Sequence, residues 1–106
     1  MQLHLDLIQL CKLEGLPRPV REFRFCPDRK FRLDYAFVPQ KLAVEIEGGI
    51  WIQGRHTRGF GFLNDMTKYN LLAINGWSLL RFTPGMVNSG EAIGVIKEWF
   101  ESRKNA

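Results

Sequence analysis

Cysteine is scarce in this chain: Cys11 and Cys26 are the only two, far from any CxxC spacing. Two thiols in a chain of 106 residues do not make a disulfide scaffold, and they point to a reducing compartment. Histidine is equally rare. His4 and His56, taken with the two cysteines, fall at no zinc-binding interval, which argues against a structural zinc site. Long apolar runs are missing as well, and none approaches the roughly 20 residues that cross a bilayer. Asp6 interrupts the apolar stretch near the start and no cleavage motif follows, so a secretory pattern is not seen. The expectation is a soluble, cytoplasmic protein with no membrane partner. There is no internal repeat, low-complexity tract or linker, and residues 1–106 are expected to form one domain.

What the chain does contain is apolar and aromatic substance, 45% and 12% of residues, which argues for a folded globule. The formal net charge is +4. That excess suits an anionic partner, of which nucleic acid is the commonest, and equally suits an ordinary basic domain.

Hydrophobic periodicity orders the elements. Leu3, Leu7, Leu10 and Leu13 recur at helical steps over residues 2 to about 14, before Gly15 and Pro17. Residues 22–26 and 30–37 alternate, with Phe23 and Phe25, then Phe31, Leu33, Tyr35 and Phe37, on the apolar side. Residues 41–47 alternate again: Leu42, Val44 and Ile46 oppose Ala43, Glu45 and Glu47. These three segments read as strands with one buried face. A Gly-rich stretch from Gly48 to Gly61 carries Trp51, Arg55, His56 and Arg58. A helix is expected from about Phe62 to Asn75, with Gly76 as its left-handed stop. Trp77–Thr83 reads as a short buried strand ended by Pro84 and Gly85, and Glu91–Arg103 as a last helix. The expected class is α/β, in the order α-β-β-β-α-β-α, a mixed sheet flanked by helices.

Register can be argued for the second hairpin. Its two apolar sets must face one core, and a turn on Pro39 and Gln40 then sets Asp34 directly across from Glu45. Glu47 follows on the same side. Like charges opposed in a sheet cost about 0.2–1 kcal/mol, and a divalent cation would convert that cost into a site, since Mg²⁺ takes one or two carboxylates. Neutralisation by Lys30 and Arg32 on a solvated face is the plain alternative. Pairing Phe23 with Leu33 and Phe25 with Phe31 in the first hairpin sets Arg24 beside Arg32 and Glu22 beside Asp34. Acids toward one end and arginines toward the other suit a metal-dependent phosphodiesterase. On the next helix, Asp65, Lys68 and Tyr69 share one face. Lys68 could reach a scissile phosphate from there, or simply pair with Asp65.

Asp34 followed by Glu45-Ile46-Glu47 resembles the motif of the PD-(D/E)xK nuclease superfamily. More narrowly, FRLDYAFVPQKLAVEIEGGIW, GRHTRGFGFLNDMTKYN and GWSLLRFTP, in that order over about residues 20–85, look like small endonuclease-domain proteins related to very-short-patch-repair endonucleases, many of phage or prophage origin. The resemblance implies a restriction-endonuclease-like core and a bacterial host cell if the chain is phage-encoded. It implies a metal held by Asp34, Glu45 and the backbone carbonyl of Ile46. The chain departs from the superfamily at Glu47, where a lysine is usual. The repair-endonuclease relatives lack that lysine too and are thought to use a loop histidine, which here would be His56. His56 and Lys68 are thus two candidates for one role.

The reading that follows is an endodeoxyribonuclease that uses Mg²⁺, with Mn²⁺ as a substitute. Asp34 and Glu45 hold the metal, Glu47 orients a second metal or water, and His56 or Lys68 acts on the phosphate. Arg24, Arg32, Arg55, Arg58 and Arg81 are candidates for contacts with the DNA backbone. A small nuclease making paired cuts would usually dimerise, so a homodimer is a further expectation. The rivals are a DNA-binding module on the same fold without catalysis, and an accessory protein that docks through Ile93, Ile96, Trp99 and Phe100. Trp51 and Trp77 could stack on bases or be core.

Overall fold

A computed structural model describes residues 6–48 and 60–104, with the backbone alone at residues 60–62. Helix α1 spans Leu7–Leu13, strand β1 Val20–Phe23, β2 Leu33–Phe37 and β3 Leu42–Ile46. Helix α2 spans Phe60–Ile74, β4 Ser78–Phe82, α3 Pro84–Ser89 and α4 Glu91–Lys104. The four strands form one mixed sheet in the order β1-β2-β3-β4. The first three run antiparallel, and β4 runs parallel to β3. The chain is therefore α/β, a mixed sheet flanked by helices, as expected. Among the described residues no helix is long and apolar enough to cross a membrane.

Local chemistry explains most boundaries. Asp6 caps α1: its carboxylate accepts from the Ile8 N–H, and the Gln9 side chain reaches back to the Asp6 N–H, a complete capping box. Helix α1 thus starts at Leu7, and residues 2–5 of the expected helix lie outside the described residues. Leu13, assigned to the apolar stripe, is exposed. Helix α2 ends in a Schellman turn. Gly76 takes φ 81, its N–H bonds the Ala73 carbonyl, and the Trp77 N–H bonds the Leu72 carbonyl. Thr83 caps α3 with Pro84 in its first turn, a helix that periodicity did not reveal because it follows the strand with no intervening loop.

The first hairpin is shorter than the alternation suggests. Phe23 does pair with Leu33, but Phe25 and Phe31 lie outside the strands. Glu22 sits at φ 50, a left-handed conformation that interrupts the ladder. Beyond it the Arg24 guanidinium donates to the carbonyls of Pro27 and Arg29 at 3.4 and 3.0 Å, holding the chain in a turn. Phe23 and Leu33 then share one core cluster, while Tyr35 and Phe37 contribute to the other. Leu33 therefore does not share a face with Tyr35 and Phe37.

The larger correction concerns the faces. The strands were expected to bury one side only, and the sheet is covered on both. On one side Phe37, Leu42, Val44 and Phe82 meet Leu7 and Cys11 of α1 and Ala92, Ile93 and Ile96 of α4. On the other, Leu33, Ala36 and Ala43 meet Leu72 of α2, with Tyr69, Trp77 and Leu79 at the margin. Alternation sets Ala36 beside Asp34 and Ala43 beside Glu45 on a polar face, yet both alanines are buried. They are small because a helix lies over them. Residues 42–45 are consecutively buried, the signature of a strand covered on both faces. Trp99 and Phe100 pack on the α1/α4 core, and Trp77 contacts the rings of Phe23 and Phe25. The apolar stripe of the last helix thus packs on the sheet, with Ile93 and Ile96 buried and Trp99 and Phe100 half-buried.

Candidate active site

The second hairpin keeps its expected register. Tyr35 pairs with Val44, Ala36 with Ala43 and Phe37 with Leu42, so the next pair sets Asp34 across from Glu45. The turn closes with the Lys41 N–H on the Val38 carbonyl, and Lys41 takes φ 55. Two further bonds lock the acids together. The Asp34 N–H donates to Glu45 Oε2 at 2.8 Å, and the Ile46 N–H donates to Asp34 Oδ2 at 2.8 Å. Each carboxylate therefore accepts from the opposite strand, which fixes both side chains at the open end of the hairpin.

Helix α2 brings the third member. Lys68 Nζ donates to Glu45 Oε1 at 2.5 Å, and the two side chains are only 13% and 8% exposed. Lys68 thus pairs across to the sheet rather than with Asp65 on its own helix. The acids are not bare opposed charges, as the register alone implies. Glu45 has a partner on both oxygens, one of them a cation. Charge relief is therefore not the expected result of neutralising either acid.

Glu47, two residues on, meets a different cation. Arg81 of β4 binds it with Nε and Nη2, the latter at 2.6 Å from Oε1. This fork-to-carboxylate contact holds the Arg81 guanidinium charged, with its pKa well above the ordinary arginine value. Tyr69 lies between the pairs, with Lys68 Nζ 5.7 Å and the Arg81 guanidinium 5.0 Å from its ring centre. Burial, followed by the charges of Glu45 and Glu47, pushes its phenol up to about 12. The Tyr69 hydroxyl stays protonated at neutral pH.

No protein-family model, curated protein or solved structure matches the chain. Asp34, Glu45, Lys68, Glu47 and Arg81 come together on the α2 side of the sheet. His56, Arg55, Arg58 and Trp51 lie outside the described residues. Arg24 is occupied by its own turn, and Arg32 lies 3.7 Å from Glu22 in an exposed pair. Of the arginines expected at phosphate, the described ones are thus each engaged by a neighbour.

Asp34 and Glu45 are hard oxygen donors, and both Glu45 oxygens are already bonded within the protein. Among the described residues no cluster of three or more His, Cys, Asp or Glu side chains is formed. Asp34 and Glu45 are two adjacent carboxylates, and Mg²⁺ binds through one or two carboxylates with waters completing its shell. Asp34 and Ile46 also line an open cleft of about 370 Å³ together with Arg21, Glu22 and Tyr35, so the acid end is reachable from outside. Arg21 was missed because the alternation was started at Glu22. No periodic signal marks the strand's start, since Val20 is out of phase with Phe23 and is exposed.

Proposed function

We propose that the chain is a divalent-metal-dependent endodeoxyribonuclease of the PD-(D/E)xK kind, on a restriction-endonuclease-like core. The observation that carries this reading is the Lys68 ammonium seated on Glu45, across the hairpin from Asp34. Two carboxylates and a lysine in contact are what the superfamily motif requires. Here the strand position usual for the lysine is Glu47, which Arg81 holds, and the helix supplies a lysine in its place. The net charge of +4 and the resemblance of residues 20–85 favour DNA as the substrate.

Asp34 and Glu45, with the carbonyl of Ile46, would hold Mg²⁺ or Mn²⁺. Bound there, the ion would supply Lewis-acid polarisation of a phosphoryl oxygen. The cross-strand bonds from the Asp34 and Ile46 N–H groups fix the two carboxylates without the aid of a ligand. Lys68 keeps a positive charge at the acid pair, positioned to offset the negative charge that grows on the phosphodiester. Its burial removes competing water, so the charge acts at a lower effective dielectric than a surface lysine would. Tyr69 remains neutral and adds no competing anion.

The test is a substrate panel of supercoiled plasmid, linear duplex, four-way junction and single strand, each with Mg²⁺, Mn²⁺ or EDTA. Cleavage with either metal, its loss in EDTA and its loss in Asp34→Asn are expected. Full activity in EDTA overturns the mechanism. A second reading has one observation in its favour: both Glu45 oxygens are satisfied by the protein, as in a buried structural pair. A DNA-binding module on this fold would bind the panel and cut none of it under any metal.

A further inference from the structure

The cleft at the acid end is lined by Arg21, Glu22, Asp34, Tyr35 and Ile46. Two of these are carboxylates, and a phosphodiester entering beside them meets repulsion unless a cation is present. Among the described residues lining the cleft, Arg21 is that cation. Arg24, Arg32 and Arg81 do not line it, and each is engaged elsewhere. Arg21 pairs with Tyr35 and shares its α1 face, whereas Asp34 belongs to the α2 face, and the two meet only as walls of this one cleft.

The guanidinium is held in place. Asp6 forms an ion pair with Arg21 Nη2, and the Arg21 guanidinium lies 5.8 Å from the Tyr35 ring centre. The Tyr35 hydroxyl in turn donates to Asp6 Oδ1 at 3.2 Å. Asp6 is itself fixed as the cap of α1. An arginine has five N–H donors in a planar fork, so contact with one carboxylate leaves donors for a second anion. The Arg21 side chain is 55% exposed, which leaves those donors open to a ligand.

We infer that Arg21 is a phosphate-binding residue that holds the nucleic-acid backbone next to the phosphodiester at Asp34. Asp6 and Tyr35 act as its positioning residues. This rests on the nuclease reading and adds which edge of the sheet the strand crosses, namely that of β1. It adds Arg21 to the arginines that the sequence alone suggests.

The experiment is metal-free binding of a labelled duplex, measured over a range of NaCl concentrations, alongside cleavage with Mg²⁺. Wild type should give a linear fall of log affinity with log salt, and Arg21→Ala should reduce the slope by about 0.9, one phosphate's share. Cleavage at low substrate should fall with it. Arg21→Lys keeps the charge and should keep the slope. Asp6→Asn retains a capping side chain and frees the guanidinium, so it should keep the slope or steepen it. Melting of each variant separates loss of fold from loss of contact. If Arg21→Ala does not fold, Arg21→Gln is measured in its place, and an unchanged slope there overturns the inference. An unchanged slope in a folded Arg21→Ala, with wild type binding and cutting, overturns this inference and leaves the nuclease reading standing. A wild type that neither binds nor cuts overturns both.

Discussion

Glu45 near the end of β3 and Glu47 just beyond it lie two residues apart, and each meets a basic side chain. The first pair is buried against α2, with Lys68 and Glu45 13% and 8% exposed, and the second is more open, with Arg81 and Glu47 48% and 19% exposed. In the buried pair a lost partner leaves a charge that water cannot reach, so the bond is costly to break. In the open pair water replaces whatever is lost. Two pairs that look alike in sequence therefore differ in consequence: one is bound into the fold and site together, the other shields its neighbour.

Lys68→Met should sharpen that contrast most. Removing the ammonium strands Glu45, at a cost of about 3–5 kcal/mol in stability, and cleavage should fall by about 10²–10⁴-fold. Since a loss of fold would mimic a loss of chemistry, the Glu45→Gln, Lys68→Met double variant belongs beside it. Melting of the double should recover much of the loss while cleavage stays absent. A double variant as unstable as the sum of the two singles would show that the side chains are not coupled.

Asp34→Asn comes next. Cleavage should disappear, because an amide is a poor substitute for a carboxylate on Mg²⁺. Its oxygen can still accept from the Ile46 N–H, so chemical denaturation should register a loss of only about 1 kcal/mol. A gain in stability would restore the picture of two repelling acids. At the open pair, Glu47→Gln and Arg81→Gln should each change stability by about 0–1 kcal/mol. Cleavage should stay within a few-fold of wild type. Losses as large as those of Lys68→Met would erase the distinction between the pairs.

The smallest effect, and none at neutral pH, is expected from Tyr69. Its pKa is raised from 10.0 to about 12, so the folded state keeps its proton longer than the unfolded chain. That stabilisation is complete below pH 10 and is lost as pH rises through about 12. The chain has two tyrosines, so tyrosinate absorbance in Tyr35→Phe follows Tyr69 alone. Half-titration near pH 10 would show the space between the two pairs to be wetter than the fold implies.

The hairpin was legible because a period of two and a short turn leave one register that buries both apolar sets. That register brought Asp34 to Glu45 before any tertiary contact was known. The first hairpin was legible only in part. Glu22 adopts a left-handed φ that its residue type does not announce, and Arg24 binds its own turn. Helix α2 was legible as a helix, yet the face it covers was not. Ala36 and Ala43 read as gaps in a polar face, though small residues there are what let a helix approach.

The sequence by itself determined the order of every element but α3, the pairing of Tyr35 with Val44, and with it the opposition of the two acids. Local spacing suffices for these, since each depends on residues within one hairpin or one helical turn. Only the tertiary structure decided between solvent and protein as the neighbour of each charge. Lys68 is 23 residues from Glu45, Arg81 is 34 from Glu47, and Asp6 and Arg21 meet between a helix cap and a strand. Which carboxylate is buried, and which arginine faces the cleft, follows from how α2 and α1 lie against opposite faces of the sheet. No periodicity within either helix encodes that choice.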